Sequence, residues 1–145
     1  MRIVLDVENT VTKRGGKLHL DPFEPTNTLT QVGIQNLDNS DEQYVMTFDH
    51  VDYQDISGDR ARQLQAVLDN ANLVVMHNAQ HDLMWLWASG FKYDGDIYDT
   101  MLAEYVLLRG QKRPLSLEAC AEYRQLEHQK DDTLKKYYKE GYNTN

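Results

Sequence analysis

The chain has 145 residues, which is enough for one ordinary domain and too few for two. Its 15 Lys and Arg against 23 Asp and Glu give a net charge of -8, which excludes a simple basic nucleic-acid binder, because such proteins carry excess positive charge. An enzyme that cuts phosphates with metal ions is not excluded, since it needs carboxylates, and a hydrophobic share of 41% supplies material for a core.

Cysteine usage and the N-terminus limit the cellular setting. The single cysteine, Cys120, excludes an internal disulfide or a multi-cysteine zinc site, and we expect it to be a small apolar helix residue. The apolar run 3–5 is too short for a signal peptide, and no segment approaches the roughly 20 apolar residues of a membrane helix. We therefore expect a cytoplasmic protein with no membrane partner.

The first half of the chain has the pattern of strands. The run Ile3-Val4-Leu5 predicts a buried strand that ends in two acids, Asp6 and Glu8. Residues 13–29 are rich in Gly, Asp and Pro and predict a long loop. An antiparallel hairpin is predicted for the β-like runs 30–37 and 43–48, which are separated by a polar turn at 38–41.

The second half alternates helical and strand-like patterns. The expected elements are a helix from Asp59, a buried strand over 73–76, a buried helix over 80–89, a weak strand over 93–98, a helix from Asp99 to near Gly110, a helix over 115–124 capped by Ser116, and a final helix from about 131. This order predicts an α/β layered fold in which helices cover both faces of a central mixed sheet.

Asp6 and Glu8 stand two residues apart at the end of an apolar strand. Side chains at i and i+2 of a strand point to the same face, so we expect both carboxylates at one spot on the sheet edge. Like charges that close are unfavourable unless a cation lies between them, and hard oxygen ligands suit Mg²⁺ or Mn²⁺. The alternative is a solvated strand end with incidental acids.

Two further acids begin helices. Asp82, in the segment from His77 to Asp82, either interacts with the helix dipole or faces a cleft or a metal, because a carboxylate beside so much apolar surface is otherwise costly. Asp99 is most simply the N-cap of the following helix. A place for Asp99 beside the site is the second possibility.

Three features in this order carry a resemblance to a known family. They are Asp6-x-Glu8 on the first strand, Asn78-x-x-His81-Asp82 leading a helix, and Asp99-Thr100-Met101-Leu102 opening another. The chain resembles the DnaQ-like 3′–5′ exonucleases, a superfamily with a ribonuclease H-like fold. It is most similar to the N-terminal proofreading domain of bacteriophage family A DNA polymerases, whose loop is also similar to residues 21–27. The resemblance extends from residue 3 to the final helix.

The resemblance implies a ribonuclease H-like fold and a two-metal phosphodiesterase that acts on the 3′ end of single-stranded DNA, with Mg²⁺ or Mn²⁺ as cofactors. It implies a DNA polymerase domain or subunit as partner, and the host cytoplasm as location if the protein is phage-encoded. The matching residues are Asp6, Glu8 and Asp82 as metal ligands and catalytic residues, Asn78, His81 and Thr10 as substrate contacts, and Asp99 beside the site.

The sequence departs from the family at two places. Many relatives have Tyr or Phe at the position of His81. The family's third motif pairs a fourth Asp with a Tyr four residues earlier or a His five residues earlier, and neither spacing occurs near Asp131 or Asp132. Those two acids are more simply a helix start. We therefore expect residues 1–145 to form a single exonuclease-like domain that lacks the third motif.

Two hypotheses from different classes follow. The first is a metal-dependent 3′–5′ exonuclease that proofreads for a polymerase. The second is a catalytically weak or inactive module that binds single-stranded ends or a polymerase; a ribonuclease H-like endonuclease ranks last, since it does not explain Asn78-x-x-His81-Asp82. Candidate DNA contacts, or else ordinary surface and core residues, are Arg109, Lys112, Arg113, Lys135, Lys136, Lys139, Tyr137, Tyr138 and Tyr142.

Overall fold

The structure of the chain is a computed structural model, and it describes residues 1–10, 12–14, 17–19, 21–23, 27–48 and 58–126. It contains strands β1 (Arg2–Asn9), β2 (Thr12–Arg14), β3 (Lys17–His19), β4 (Leu29–Asn36), β5 (Gln43–Thr47), β6 (Leu73–Met76) and β7 (Asp96–Asp99), with helices α1 (Asp59–Asn70), α2 (Ala79–Ala88), α3 (Thr100–Leu107) and α4 (Leu117–Tyr123).

Five of these strands form one mixed sheet in the order β5-β4-β1-β6-β7. Strand β4 is antiparallel to both of its neighbours, β1 and β5, whereas β6 and β7 run parallel to β1. The predicted α/β class with a mixed sheet and an antiparallel hairpin is confirmed. Strand β1 lies at the centre, where antiparallel pairing changes to parallel pairing.

The side chains of β1 alternate between the two faces of the sheet. Ile3, Leu5 and Val7 are buried on one face, whereas Asp6 and Glu8 are exposed on the other. Strand geometry produces this alternation, because successive side chains point to opposite faces. The apolar face supplies the core, and the acidic face remains available for a site.

Helices α1 and α2 bury the apolar face of the sheet. Leu64 and Leu68 of α1 and Trp85 and Leu86 of α2 belong to the same buried cluster as the apolar residues of β1. Burial of each such side chain stabilises the fold by about 1.5–3 kcal/mol. The packing fixes α2 against the sheet, so the position of the α2 N-terminus is set by the core.

One predicted segment differs from the structure. The sequence pattern predicts a long loop over 13–29, but β2 and β3 within and next to it pair as a two-stranded antiparallel sheet. Two glycines, Gly15 and Gly16, stand between these strands in the sequence. A Gly pair between two short runs is a hairpin signal, and the polar composition of the runs hid it.

The other described elements agree with the predicted ones to within a few residues. Ser116 caps α4, because its hydroxyl accepts the Ala119 N–H at 3.1 Å, and Cys120 is buried on that helix. The final helix expected from about 131 lies outside the described residues. Within the described ranges, no helix is long and apolar enough to cross a membrane.

An ion-pair cluster around the buried Glu104 joins α3 to the end of α4. The Glu104 carboxylate accepts hydrogen bonds from Arg124, one of them at 3.0 Å, and from Arg113 at 3.1 Å. The Arg113 guanidinium also lies 3.6 Å from the centre of the Tyr123 ring. The Arg124 hydrogen bonds, with help from Arg113, lower the pKa of Glu104 to about 2.

We expect this cluster to make stability sensitive to acid. The folded state keeps Glu104 charged down to about pH 2, whereas its ordinary pKa is 4.5. Its contribution is therefore full above about pH 4.5 and lost as the pH falls from there towards 2. Urea unfolding between pH 6 and 2.5 should show a smaller loss for Glu104→Gln than for the wild type. An equal loss in both would contradict the role of Glu104, and Glu122→Gln, an exposed acid of α4, is the control.

Candidate active site

The first two acids of the site, Asp6 and Glu8, lie on β1 beyond the point where β1 stops pairing with the parallel strand β6. The pairing of β1 with β6 ends at Val4 and Val75. Asp6 and Glu8 follow, held on the other side by β4, where they pair with Gly33 and Gln31. In open α/β sheets, the crevice beyond the carboxyl ends of parallel strands is the usual place for a ligand site.

The third acid, Asp82, is buried in the first turns of α2 with 3% of its surface exposed. Its Oδ1 lies 3.0 Å from His81 Nδ1. Its Oδ2 is buried and has no hydrogen-bond partner within the part of the chain that the structure describes. A buried carboxylate oxygen without a donor is expensive, so this atom marks a place where a cation or a donor is expected.

Electrostatics connect Asp82 with the two acids of β1. Burial raises the pKa of Asp82 to about 7, the His81 hydrogen bond opposes that rise, and the charges of Asp6 and Glu8 add to it. Asp6 and Glu8 therefore both repel the charged form of Asp82. Such repulsion is relieved by a bound cation.

His81 stands beside Asp82 at the mouth of the site. Its side chain is 46% exposed, and its ring lies 6.4 Å from the buried Trp85 ring, at 53° to it. One edge of the imidazole is therefore fixed by Asp82 and Trp85, while the rest faces outwards. This placement is compatible with the predicted substrate contact, which stays a prediction.

Asn78 and Asp99 form the joint between α2 and α3. Asn78 precedes α2 with φ 68°. The Asp99 carboxylate accepts the N–H groups of Asn78 and Ala79 at 3.0 Å each, and also those of Met101 at 2.9 Å and Leu102 at 3.3 Å. Asp99 therefore caps two helices at once. Its four N–H donors lower its pKa against the opposing effect of burial, which is the largest single influence.

We expect Asp99→Ala to cost more than an ordinary cap. Losing one N-cap costs about 0.5–2 kcal/mol, so the loss of two should cost roughly twice that amount. Ser116→Ala removes a single cap from α4 and is the matched control. Chemical denaturation of both variants measures the difference, and equal costs would show that only one helix depends on Asp99.

Thr10 is held inside the fold. It is 2% exposed, its backbone N–H donates to the Thr28 carbonyl at 2.9 Å, and its hydroxyl accepts the Thr28 N–H at 2.8 Å. These bonds join the end of β1 to the start of β4. The predicted contact of Thr10 with substrate stays a prediction.

The residues present fit a divalent cation by their chemistry. Asp82 offers a buried oxygen without a donor, and two neighbouring carboxylates raise its pKa. Carboxylate oxygens are the ligands that Mg²⁺ prefers. In the described ranges, however, no three His, Cys, Asp or Glu side chains converge as a metal-binding group. That all three acids bind the cation is therefore a proposal.

The predicted DNA contacts fall into three groups. Arg113 forms an ion pair with Glu104 and lies over the Tyr123 ring, whereas Arg109 and Lys112 are exposed. The remaining candidates, together with Asp131 and Asp132, lie outside the described residues; they are Lys135, Lys136, Lys139, Tyr137, Tyr138 and Tyr142.

Sequence reasoning missed two features near the site. It treated Asp99 as the cap of one helix, and it assigned no role to His77, whose ring nitrogens are both bonded. The position of His77 between a strand and Asn78 was a usable signal, because such turns bring polar side chains to the sheet edge. The partners of His77 are 23 and 38 residues away, so local patterns could not reveal them.

Comparison with known proteins gives a family and several structural neighbours. A model of the family described as 3′-5′ exonuclease matches residues 21–141. A search of the curated proteins gives no significant match. Among solved structures, one described as the apo form of the nuclease has a TM-score of 0.60 at 16% identity, covering 92% of this chain and 55% of that one.

Two further structures share the fold. Brucella melitensis NrnC with bound Mg²⁺ has a TM-score of 0.58 at 18% identity, covering 90% of this chain and 57% of that one. The family B DNA polymerase of the hyperthermophilic archaeon Pyrobaculum calidifontis has a TM-score of 0.54 at 14% identity, covering 85% of this chain and 18% of that one. The chain thus spans little more than half of the two nucleases.

Proposed function

Because this chain belongs to the 3′-5′ exonuclease family, which confirms the resemblance to the DnaQ-like superfamily, we propose that it removes nucleotides from the 3′ end of single-stranded DNA in a metal-dependent reaction. We further propose that this activity proofreads DNA synthesis, alongside a polymerase domain or subunit, in the cytoplasm, which is that of the host if the protein is phage-encoded. The polymerase among the structural neighbours supports that context.

A single observation carries the proposal: Asp82 is a buried carboxylate with one oxygen that lacks a donor within the described ranges, and Asp6 and Glu8 repel it. A fold that merely used Asp82 as a helix-dipole partner would leave it in solvent, where it costs nothing. Keeping the charge of Asp82 buried beside two like charges destabilises the fold unless a cation offsets it, and without a cation the raised pKa of about 7 means that a proton neutralises the group instead. Active sites are where such strained ionisable groups concentrate.

The proposed roles follow from placement. Asp6, Glu8 and Asp82 would hold divalent ions such as Mg²⁺ or Mn²⁺. The structure of NrnC contains bound Mg²⁺. When bound, two such ions lower the pKa of water and offset the charge that develops on the phosphate. Asn78 and His81, at the entry of α2, would hold the terminal nucleotide against this centre.

An open groove beside Asp6 supports access for a strand. It has a volume of about 500 Å³, and Asp6, Gly33 and Tyr44 are among its lining residues. Gly33 pairs with Asp6 and has no side chain. No side chain of β4 therefore covers the sheet face next to Asp6. An extended single strand fits such a shallow groove better than a duplex does, because its unpaired bases can contact the exposed Val45, which pairs with Gly33 on the same face as Asp6.

A 5′-labelled single-stranded DNA oligonucleotide tests the function. With Mg²⁺ or Mn²⁺, the chain should produce a ladder of products shortened from the 3′ end, and a chelator should abolish it. A 3′-blocked oligonucleotide is the control for polarity, and an RNA of the same sequence tests the preference for DNA. Internal cleavage, or degradation that survives the chelator, would contradict the proposal.

A second candidate is a weak or inactive module that binds single-stranded ends or a polymerase. The observation in its favour is that, over the ranges the structure describes, no three ligating side chains converge as a metal-binding group. This candidate predicts that the oligonucleotide binds without being shortened, as measured by fluorescence anisotropy.

A further inference from the structure

His77 lies beside the proposed site and has no role in the proposed chemistry. It is half-buried between the last residue of β6 and Asn78. Its Nε2 lies 2.7 Å from the Leu115 carbonyl oxygen, and its Nδ1 lies 2.9 Å from Thr100 Oγ1. The ring therefore links the start of α2 with two later parts of the chain.

The partners determine which nitrogen carries the proton. A carbonyl oxygen can only accept, so Nε2–H donates to Leu115. In the neutral ring Nδ1 then accepts from the Thr100 hydroxyl. The Thr100 hydroxyl also lies 3.3 Å from the Met76 carbonyl oxygen, which is a longer and weaker alternative for its single proton.

The two bonds of His77 are not equivalent. The Thr100 bond connects the start of α2 with the start of α3, which the Asp99 carboxylate already joins through four N–H groups. The Leu115 bond spans 38 residues and reaches the residue before the Ser116 cap of α4. That region is itself held to α3 by Arg113 and Glu104.

The backbone between His77 and α2 needs such support. Asn78 has φ 68° and ψ 65°, a left-handed conformation that costs energy for any residue with a Cβ. Strained residues of this kind persist when their surroundings hold them. Asp99 holds the amide side of this turn, and His77 is bonded on its strand side.

We propose that His77 is a positioning residue: its Nε2–H bond to the Leu115 carbonyl holds the turn at Asn78, and with it the substrate-contacting end of α2, against the segment before α4. The inference rests on the proposed function for the role of Asn78. It makes the chain around Leu115, far from the acids in sequence, a determinant of substrate binding.

Three substitutions of His77 separate the two bonds. His77→Gln places an amide nitrogen near the position of Nε2 and keeps the bond to Leu115, whereas His77→Asn reaches only the position of Nδ1. His77→Ala removes both bonds. Thr100→Val, which removes the hydroxyl on the other side of the ring, is the matched control.

The first measurement is native-state hydrogen exchange of the Asn78 and Ala79 amides. We expect exchange about tenfold faster in the Ala and Asn variants, which corresponds to the loss of one hydrogen bond, and near wild-type exchange for Gln and for Thr100→Val. Exchange of the Val32 amide in the central sheet should not change. A Gln variant that exchanges as fast as Ala would overturn the proposal.

The second measurement is turnover of the single-stranded DNA oligonucleotide. The Ala and Asn variants should raise KM about tenfold with a smaller change in kcat, and Gln should restore KM. Loss of exchange protection with an unchanged KM would overturn the proposal, since the turn would then not position substrate. A wild-type chain without activity would contradict the proposed function alone, because exchange still decides whether the Leu115 bond holds the turn.

Discussion

Asp82→Asn should abolish metal-dependent nuclease activity while making the metal-free protein more stable. The substitution keeps the shape of the side chain and removes a charge that is 3% exposed and repelled by Asp6 and Glu8. Loss of a metal ligand at the reacting centre should lower the rate at least ~10³-fold. Relief of burial and repulsion should raise the melting temperature in chelator at pH 8 by several degrees, at roughly 2–4 °C per kcal/mol.

Thermal melts with and without Mg²⁺ distinguish the two effects. Mg²⁺ should raise the melting temperature of the wild type, because a ligand that binds only the folded state stabilises it. It should have little effect on Asp82→Asn. Asp94→Asn removes an exposed acid from the segment between α2 and β7 and should behave as the wild type. A variant that melts lower than the wild type in chelator would show that the Asp82 carboxylate has a stabilising partner.

Asp6→Ala should have the second large effect. The side chain is exposed on the open face of β1, so truncating it leaves no cavity in the core and removes one of the three charges that repel each other. Nuclease activity with Mg²⁺ should fall below detection, while the metal-free melting temperature stays equal or rises.

The gel assay with the 5′-labelled oligonucleotide measures the Asp6→Ala effect, and a chelator titration shows whether the residual activity depends on metal. Gln31→Ala changes a residue of β4 that faces Glu8 across the strand pair and controls for damage to the sheet. Unchanged cleavage by Asp6→Ala would remove Asp6 from the mechanism.

Local sequence patterns predicted most of the described elements because their causes are local. The alternation in β1 depends on one strand, and the spacing of apolar residues from Asp59 onwards depends on one helix. The β2–β3 hairpin was missed because its local pattern is weak. Its two runs are short and polar, and only the Gly15-Gly16 pair indicated a turn. Register and strand order needed contacts between elements.

The candidate site divides in the same way. That Asp6 and Glu8 share a face follows from strand geometry alone, and their exposure on the open face agrees with it. That Asp82 is buried, with one oxygen lacking a donor among the described residues, could not follow from its place in a first helical turn, where most acids are solvated. Packing of α2 against the sheet decided it.

The amino-acid sequence by itself determined the α/β class and the shared face of Asp6 and Glu8, because these depend on periodicity, and its resemblance to a known family in three short motifs indicated the 3′–5′ exonucleases. Only the tertiary structure decided that Asp99 caps two helices, that Glu104 joins α3 to α4, and that His77 reaches Leu115. The contacts that Asp99 makes with the start of α2, and those of Glu104 and His77, bring together residues separated by 9 to 38 positions. Such distances close only when the core places the elements, and no local pattern encodes them.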